Sequence, residues 1–320
     1  MSNANADCQP FSGISATNGE RTKRPEPRND GREGACPKKA DSRRSALPKI
    51  LFFGNGPLAD YTLRVLERHC DLLFHARTRE DLTTAAEFKR QNPDAHGILA
   101  SFGVLIKSDF LELFEPEGIL NLHPSKLPEY RGASPIESAI LHGDKDFSYS
   151  IMKLVKAMDA GPVYHQDTLK NLPIDKNAIY EALATAGAEW LIANLDSLPQ
   201  PIEQDDAKAT FTTKFDKSMS FLHPADAPAE TILRQIVAYQ GFPKPKYDFY
   251  GKTCIILKAH VLRVTDILCE AAGMTPKDSP LMLKCQDRNF VVVDELQPEG
   301  KKPMDARSFI NGYGKTHPQA

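Results

Sequence analysis

At 320 residues, 41% hydrophobic and 26% charged, with a formal net charge of −2, the chain has room for about two domains and carries no overall basic field to announce nucleic acid, although a local patch can serve a neutral molecule. The six cysteines show neither a C-x-x-C pair nor zinc-finger spacing, which argues against a disulfide framework and a structural metal. No apolar run approaches the roughly 20 residues of a membrane helix, so no membrane association is expected.

Residues 1–47 are rich in Ser, Asn, Gly, Pro and mixed charge. With almost nothing apolar to bury, they cannot offset their ordering entropy and are expected to be a disordered tail. Their arginines suit an organelle transit peptide, but the interspersed acids do not. A cytoplasmic protein is therefore expected, with a mitochondrial or plastid address as the alternative.

Order begins at the apolar run from Lys49 to Phe53, which ends in Gly54-Asn55-Gly56-Pro57 and leads into a helix carrying Leu58, Leu63, Val65 and Leu66. There follow a strand in "CDLLFHA", a polar helix through Glu80 to Arg90, a strand in "GILAS", a short helix around Asp109 to Phe114 and a strand in "GILNL". This alternation predicts an α/β fold, a Rossmann-like, mostly parallel sheet with helices on both faces. Ligands of such sheets gather outside the carboxyl ends of the strands.

Two motifs compete for that position. "GNGPLA" fits the dinucleotide fingerprint G-x-G-x-x-A, which would suit an oxidoreductase. Yet the second strand ends in His75, Ala76 and Arg77, not in the acid that a nicotinamide site wants, and a tight turn that lets strand and helix approach is the preferred reading. The other motif is "NLHPSKLPEYRGASP", where Asn121 and His123 follow an apolar strand at i and i+2 and so share a side. Pro124 and Pro128 stiffen the segment. Ser134 as N-cap, Pro135 at N1 and Glu137 at N3 predict a capping box opening the next helix.

An amide donor beside an imidazole, with no serine or cysteine nucleophile in evidence, suits acyl transfer to an external amine. The tetrahedral intermediate needs an oxyanion donor and a proton shuttle, and the substrate brings the nucleophile. A carboxylate to orient the imidazole is offered by Asp159, in the glycine turn of "KAMDAGPVYHQ".

The stretch "NLHPSKLPEYRGASPIESAILHGDKDFSYSIMKLVKAMDAGP" resembles the core of the folate-dependent formyltransferases, with their Asn-x-His, the Ser-x-Leu-Pro after it and an Asp in a D-x-G context. The resemblance implies that Asn121 holds the developing oxyanion, that His123 donates to it or shuttles a proton, and that Asp159 keeps His123 in its working state and helps deprotonate the amine. It implies 10-formyltetrahydrofolate as formyl donor and no metal. The pterin would be held by the loop 100–106, through Ser101, Phe102, Gly103, Val104 and Leu105, and by main chain at Ser125, Lys126, Leu127 and Pro128. Phe102 stands where the family usually has tyrosine. "DELQPEGKKPMDARSFINGY" is similar to the end of those members that formylate charged initiator methionyl-tRNA, which implies a role in translation initiation.

After the helix from Asn177 to Leu195, the proline-rich acidic stretch "DSLPQPIEQDDAKAT" reads as a linker. Short strands in "KYDFYG", "TCIILKAHVLRV", "LMLKC" and "FVVVDELQ" then suggest a small OB-like β-barrel suited to nucleic acid. The expected organisation is a tail (1–47), a catalytic domain (48–202), a linker (203–210), a tRNA-binding domain (211–313) and a tail (314–320), in a monomer. Arg77 and Arg79, in a segment shorter than the family's basic insertion, and Lys244, Lys246, Lys301 and Lys302 are the candidate RNA contacts. The same chemistry on another amine, such as a sugar nucleotide, is the alternative function, followed by a dinucleotide oxidoreductase and a non-catalytic folate or RNA binder.

Overall fold

The computed structural model describes residues 47–264 and 281–314. The expectations for the N-terminal tail, Leu47 apart, and for residues 315–320 lie outside the described residues. Among the described residues no helix is long and apolar enough to cross a membrane.

Six strands form the first sheet: β1 (Lys49–Phe53), β2 (Asp71–Ala76), β3 (His96–Leu99), β4 (Ile119–His123), β5 (Phe147–Lys153) and β6 (Val163–Leu169), in the order β2-β1-β3-β4-β5-β6. The pairs among β1 to β4 are parallel, and β5 and β6 add antiparallel strands at one side. Parallel neighbours need crossovers, which α1 (Pro57–Leu66), α2 (Asp81–Gln91) and the short α3 (Ser108–Leu111) supply, and α5 (Lys176–Asn194) returns against α1. Strands β1 and β4 are buried along almost their whole length, because helices cover both faces.

The turn after β1 is as tight as the sequence suggests. A Cβ on Gly54 would lie 2.1 Å from the Ala100 carbonyl oxygen, so this glycine serves the close approach of the β1 turn to the end of β3. Gly56 has φ 83°, a conformation glycine adopts without strain.

Helix α4 (Pro135–His142) begins where the sequence placed it and stops at Gly143 in the left-handed conformation. The expected capping box does not form. The Ser134 hydroxyl donates to the Thr213 carbonyl at 2.7 Å, and Glu137 turns to Tyr180 (2.9 Å) and Lys176 (3.2 Å). Distant partners outcompeted the local ones.

The second sheet joins β7 (Lys246–Phe249), β8 (Lys252–Leu262), β9 (Met282–Lys284), β10 (Phe290–Pro298) and β11 (Met304–Asp305), with β10 beside β8, β9 and β11. All its pairs are antiparallel, and register shifts on either side of Glu295 mark a bulge where the sheet curls into a half-barrel. Helix α6 (Ala229–Ala238) packs Ile232 and Ile236 between this sheet and α4, so one continuous core runs from Phe52 and Leu122 to Phe249 and Phe309.

Candidate active site

Strand β4 carries Leu120 and Leu122 into the core and leaves Asn121 and His123 on the other face, at its carboxyl end. Both are 95% buried, each with 5% of its surface exposed. The Asn121 side chain makes no hydrogen bond to another described residue, and its amide belongs to the small part of the residue that stays exposed. It is available to a ligand.

His123 is held from two sides. Its Nε2 lies 3.1 Å from the Tyr130 carbonyl, which only accepts, so Nε2 carries a hydrogen and donates. Its Nδ1 faces Asp159 Oδ1 at 3.7 Å, within reach of an ion pair when the imidazole is protonated and too far for a hydrogen bond. Asp159 sits in the turn between β5 and β6 with φ 49°, and its other oxygen, Oδ2, accepts the Gly132 N–H at 2.8 Å. The three residues singled out in the sequence therefore meet at one place.

The turn 130–132 sets this geometry. Tyr130 has φ 56° and supplies the carbonyl to His123, while its hydroxyl donates to Asp144 at 2.8 Å. Burial first, then Asp144, pushes the Tyr130 phenol upward, so it stays a donor. Left-handed backbone is costly for a bulky residue and persists where the surroundings impose it, often at functional sites. Gly132 (φ 124°) donates to Asp159, and a Cβ there would lie 2.3 Å from Thr212 Oγ1. Arg131, buried between them, went unassigned at the sequence level because an arginine in a turn is ordinarily a surface residue.

Sheet register brings the loop 100–106 alongside. Leu99 pairs with Asn121, so the chain leaving β3 runs out next to His123. Ser101 and Gly103 are exposed, with φ 51° and 66°, Val104 is half-buried and Leu105 is 71% exposed. Phe102 differs from its neighbours: its ring is buried edge-on against Phe53, with centroids 5.9 Å apart, so only its main chain faces outward and the position needs no hydroxyl. Ser125 and Leu127 form a ledge just past β4. The Ser150 hydroxyl binds the Ser125 carbonyl at 2.6 Å and receives the Leu127 N–H at 3.1 Å, so these groups shape the ledge; Lys126 is exposed and Pro128 half-buried.

Beside Asp159 opens a cleft of about 830 Å³, bordered by Gly132 and Met158 of the first sheet's unit and by Phe211, Phe215 and Phe242 beyond it. Met158, Phe211 and Phe242 are 68%, 70% and 50% exposed. Large apolar side chains clustered in water around a cleft mark a binding surface.

The RNA candidates divide. Arg77 and Arg79 are exposed just past β2, with Arg77 Nε donating to His75 Nδ1 at 3.3 Å. Lys246 is already engaged by Glu299 at 2.8 Å, which lowers its value as a phosphate contact. Lys244, Lys301 and Lys302 are exposed, and Lys301 and Lys302 lie on the same turn as Glu299.

Comparison with known proteins agrees with this geometry. Residues 42–195 match the formyl transferase family and residues 215–314 its C-terminal domain. A methionyl-tRNA formyltransferase of Dictyoglomus thermophilum is 35% identical over 235 residues, 70% of this chain and 73% of that protein. Among solved structures, a methionyl-tRNA formyltransferase from Clostridium thermocellum aligns with TM-score 0.55 at 15% identity, covering 79% of this chain and 98% of its own. HypX from Aquifex aeolicus, solved with tetrahydrofolic acid, aligns with TM-score 0.65 at 15% identity over 84% of this chain, and the alignment spans 48% of the HypX chain. The structural likenesses establish a shared fold, and the sequence matches establish descent: the chain belongs to the family of the methionyl-tRNA formyltransferases.

Proposed function

We propose that this protein transfers the formyl group of 10-formyltetrahydrofolate to the α-amino group of methionyl-initiator-tRNA, at the start of translation. The observation that carries the reading is Asn121, a buried residue whose amide has no partner among the described residues, beside the His123–Asp159 pair. In this reading the amine attacks the formyl carbon, and Asn121 donates to the oxygen on which negative charge develops. The proton lost by the amine passes to the Asp159–His123 pair and then to the folate nitrogen as its bond to the formyl carbon breaks. Loop 100–105 and the ledge 125–128 would hold the donor, with exposed Leu105 offering apolar surface to a flat ring system.

The acceptor would enter over the rim of Met158, Phe211 and Phe242, with Lys244, Lys301 and Lys302 beyond it meeting phosphates. The proposed units remain 48–202 for catalysis and 211–313 for tRNA. Base stacking on an aromatic is worth ~1–3 kcal/mol, so Phe211→Ala and Phe242→Ala should each raise the KM for charged tRNA roughly tenfold and leave the folate KM unchanged. Lys301→Ala with Lys302→Ala should weaken tRNA binding and flatten its logarithmic salt dependence by roughly two units. The decisive assay supplies 10-formyltetrahydrofolate with charged initiator tRNA or with amino sugars linked to a nucleotide, and follows the label. Label appearing only in the sugar would replace this substrate with the other amine.

A further inference from the structure

We infer that the stretch 204–213 is a positioning element for the His123–Asp159 pair, with Gln204 as its key residue; the inference rests on the formyl-transfer reading of that pair. A linker free of the catalytic unit would show its backbone groups to water. This one instead spends them on the two turns that hold the catalytic side chains.

The first contact is at Gln204. Its Nε2 donates to the Asp159 carbonyl at 2.9 Å and to the Gly161 carbonyl at 2.7 Å, so it ties down both sides of the Asp159 turn. Its Oε1 accepts from Arg131 Nε at 3.1 Å and from a terminal nitrogen of the same guanidinium at 2.8 Å. Donors on one side and carbonyls on the other allow the amide a single orientation. Gln204 thereby joins the turn that presents Asp159 to the turn 130–132 that presents the Tyr130 carbonyl to His123. The Asp159 turn lies tightly here, since a Cβ on Gly161 would come within 1.9 Å of the Lys153 carbonyl oxygen.

The second contact runs from Thr210 to Thr213. The Thr210 N–H donates to the Pro128 carbonyl at 3.2 Å, and Tyr130 N–H donates to Thr210 Oγ1 at 2.9 Å. Arg131 N–H donates to the Thr210 carbonyl and Thr212 N–H to the Arg131 carbonyl, both at 2.9 Å. Thr213 N–H reaches Ser138 Oγ at 2.9 Å. A short parallel bridge thus pins Arg131 to the chain at Phe211. This pairing resists the relaxation of Tyr130 and Gly132 out of positive φ, and both of those residues touch the catalytic pair. The His123–Asp159 separation of 3.7 Å is the quantity the element sets. Because Phe211 of this stretch and Phe215 just after it border the acceptor cleft, the element that lines the acceptor's path also aligns the groups that act on its amine.

The test uses the full chain and three variants. Gln204→Ala removes every contact of the side chain. Gln204→Glu keeps an acceptor for Arg131 and so keeps the stretch in place, but it turns an oxygen toward the Asp159 and Gly161 carbonyls. Lys208→Ala, in an exposed pair with Asp205, is the control. Small displacements of reacting groups cost up to about 100-fold in rate. Gln204→Glu should therefore lower kcat roughly 10- to 100-fold, with both KM values and the melting temperature close to wild type, while Lys208→Ala changes nothing. The ¹⁵N signals of the His123 ring should move in Gln204→Glu and Gln204→Ala and stay in place in Lys208→Ala. Unchanged kcat and ring signals in Gln204→Glu overturn the inference, as does a loss of rate matched by an equal loss of folded protein. A wild-type protein that formylates nothing would overturn the functional reading, while the ring signals would still report on the stretch 204–213.

Discussion

Asn121→Ala is expected to slow formylation roughly 10²- to 10³-fold, the usual cost of one oxyanion donor. Two features of the site set the size of this effect. The residue is 95% buried, so the field of its amide is only partly screened, and the amide makes no hydrogen bond to another described residue, so no reorganisation precedes its use by a ligand. The loss should fall on kcat, because the bond strengthens as charge develops on the oxygen, and the substrates' KM values should change little. His123→Ala and Asp159→Ala should be comparably severe. A double variant should lose less than the sum of its single losses, because the three residues act on one proton and one oxygen. Turnover within a few-fold of wild type in all three single variants would remove these residues from the chemistry.

The second large effect concerns stability. Lys176 and Glu137 form a pair at 3.2 Å, each with a side chain 12% exposed. Lys176 also donates to the Ala238 and Gln240 carbonyls, closing the end of α6 against the start of α5, and Glu137 accepts the Tyr180 hydroxyl at 2.9 Å. Burial, followed by the Glu137 carboxylate, pushes the Tyr180 phenol upward, so it remains a donor to that carboxylate. Removing one partner leaves a poorly solvated charge, and Lys176→Ala should cost about 3 kcal/mol of unfolding free energy in urea. Lys176→Met combined with Glu137→Leu should recover most of that loss, because the desolvation penalty disappears with both charges. A loss below about 1 kcal/mol in Lys176→Ala would mean that water already screens the pair and that the helices are held by apolar packing alone.

The shared core also decides which experiments are clean. Ile232, Ile236 and Phe249 belong to the same buried cluster as Leu122 and Ile140. Cutting the chain near Ile202 would expose that cluster, so point variants on the surface, such as those at Lys301 and Lys302, separate tRNA binding from folding better than truncation does.

The sequence by itself determined the α/β alternation, the mostly parallel sheet and the placement of Asn121 and His123 at the carboxyl end of a central strand. These follow from apolar runs, a period of two and proline or glycine punctuation, all of which act over a few residues. Asp159 was legible through the family pattern, since spacing alone says nothing of the 3.7 Å between its carboxylate and His123. Only the tertiary structure decided what Ser134 and Glu137 do: the local capping box lost to Thr213, 79 positions away, and to Tyr180, 43 positions away. The same holds for Lys246, which a basic-residue count offers to RNA and the fold gives to Glu299. It holds most of all for residues 203–210, whose acids, following Pro199 and Pro201, read as a linker because composition reports burial, and hydrogen bonds to a turn about 75 positions earlier leave no trace in composition. Local patterns name the elements; a polar side chain's partner is chosen by whichever distant backbone group the fold leaves unsatisfied beside it.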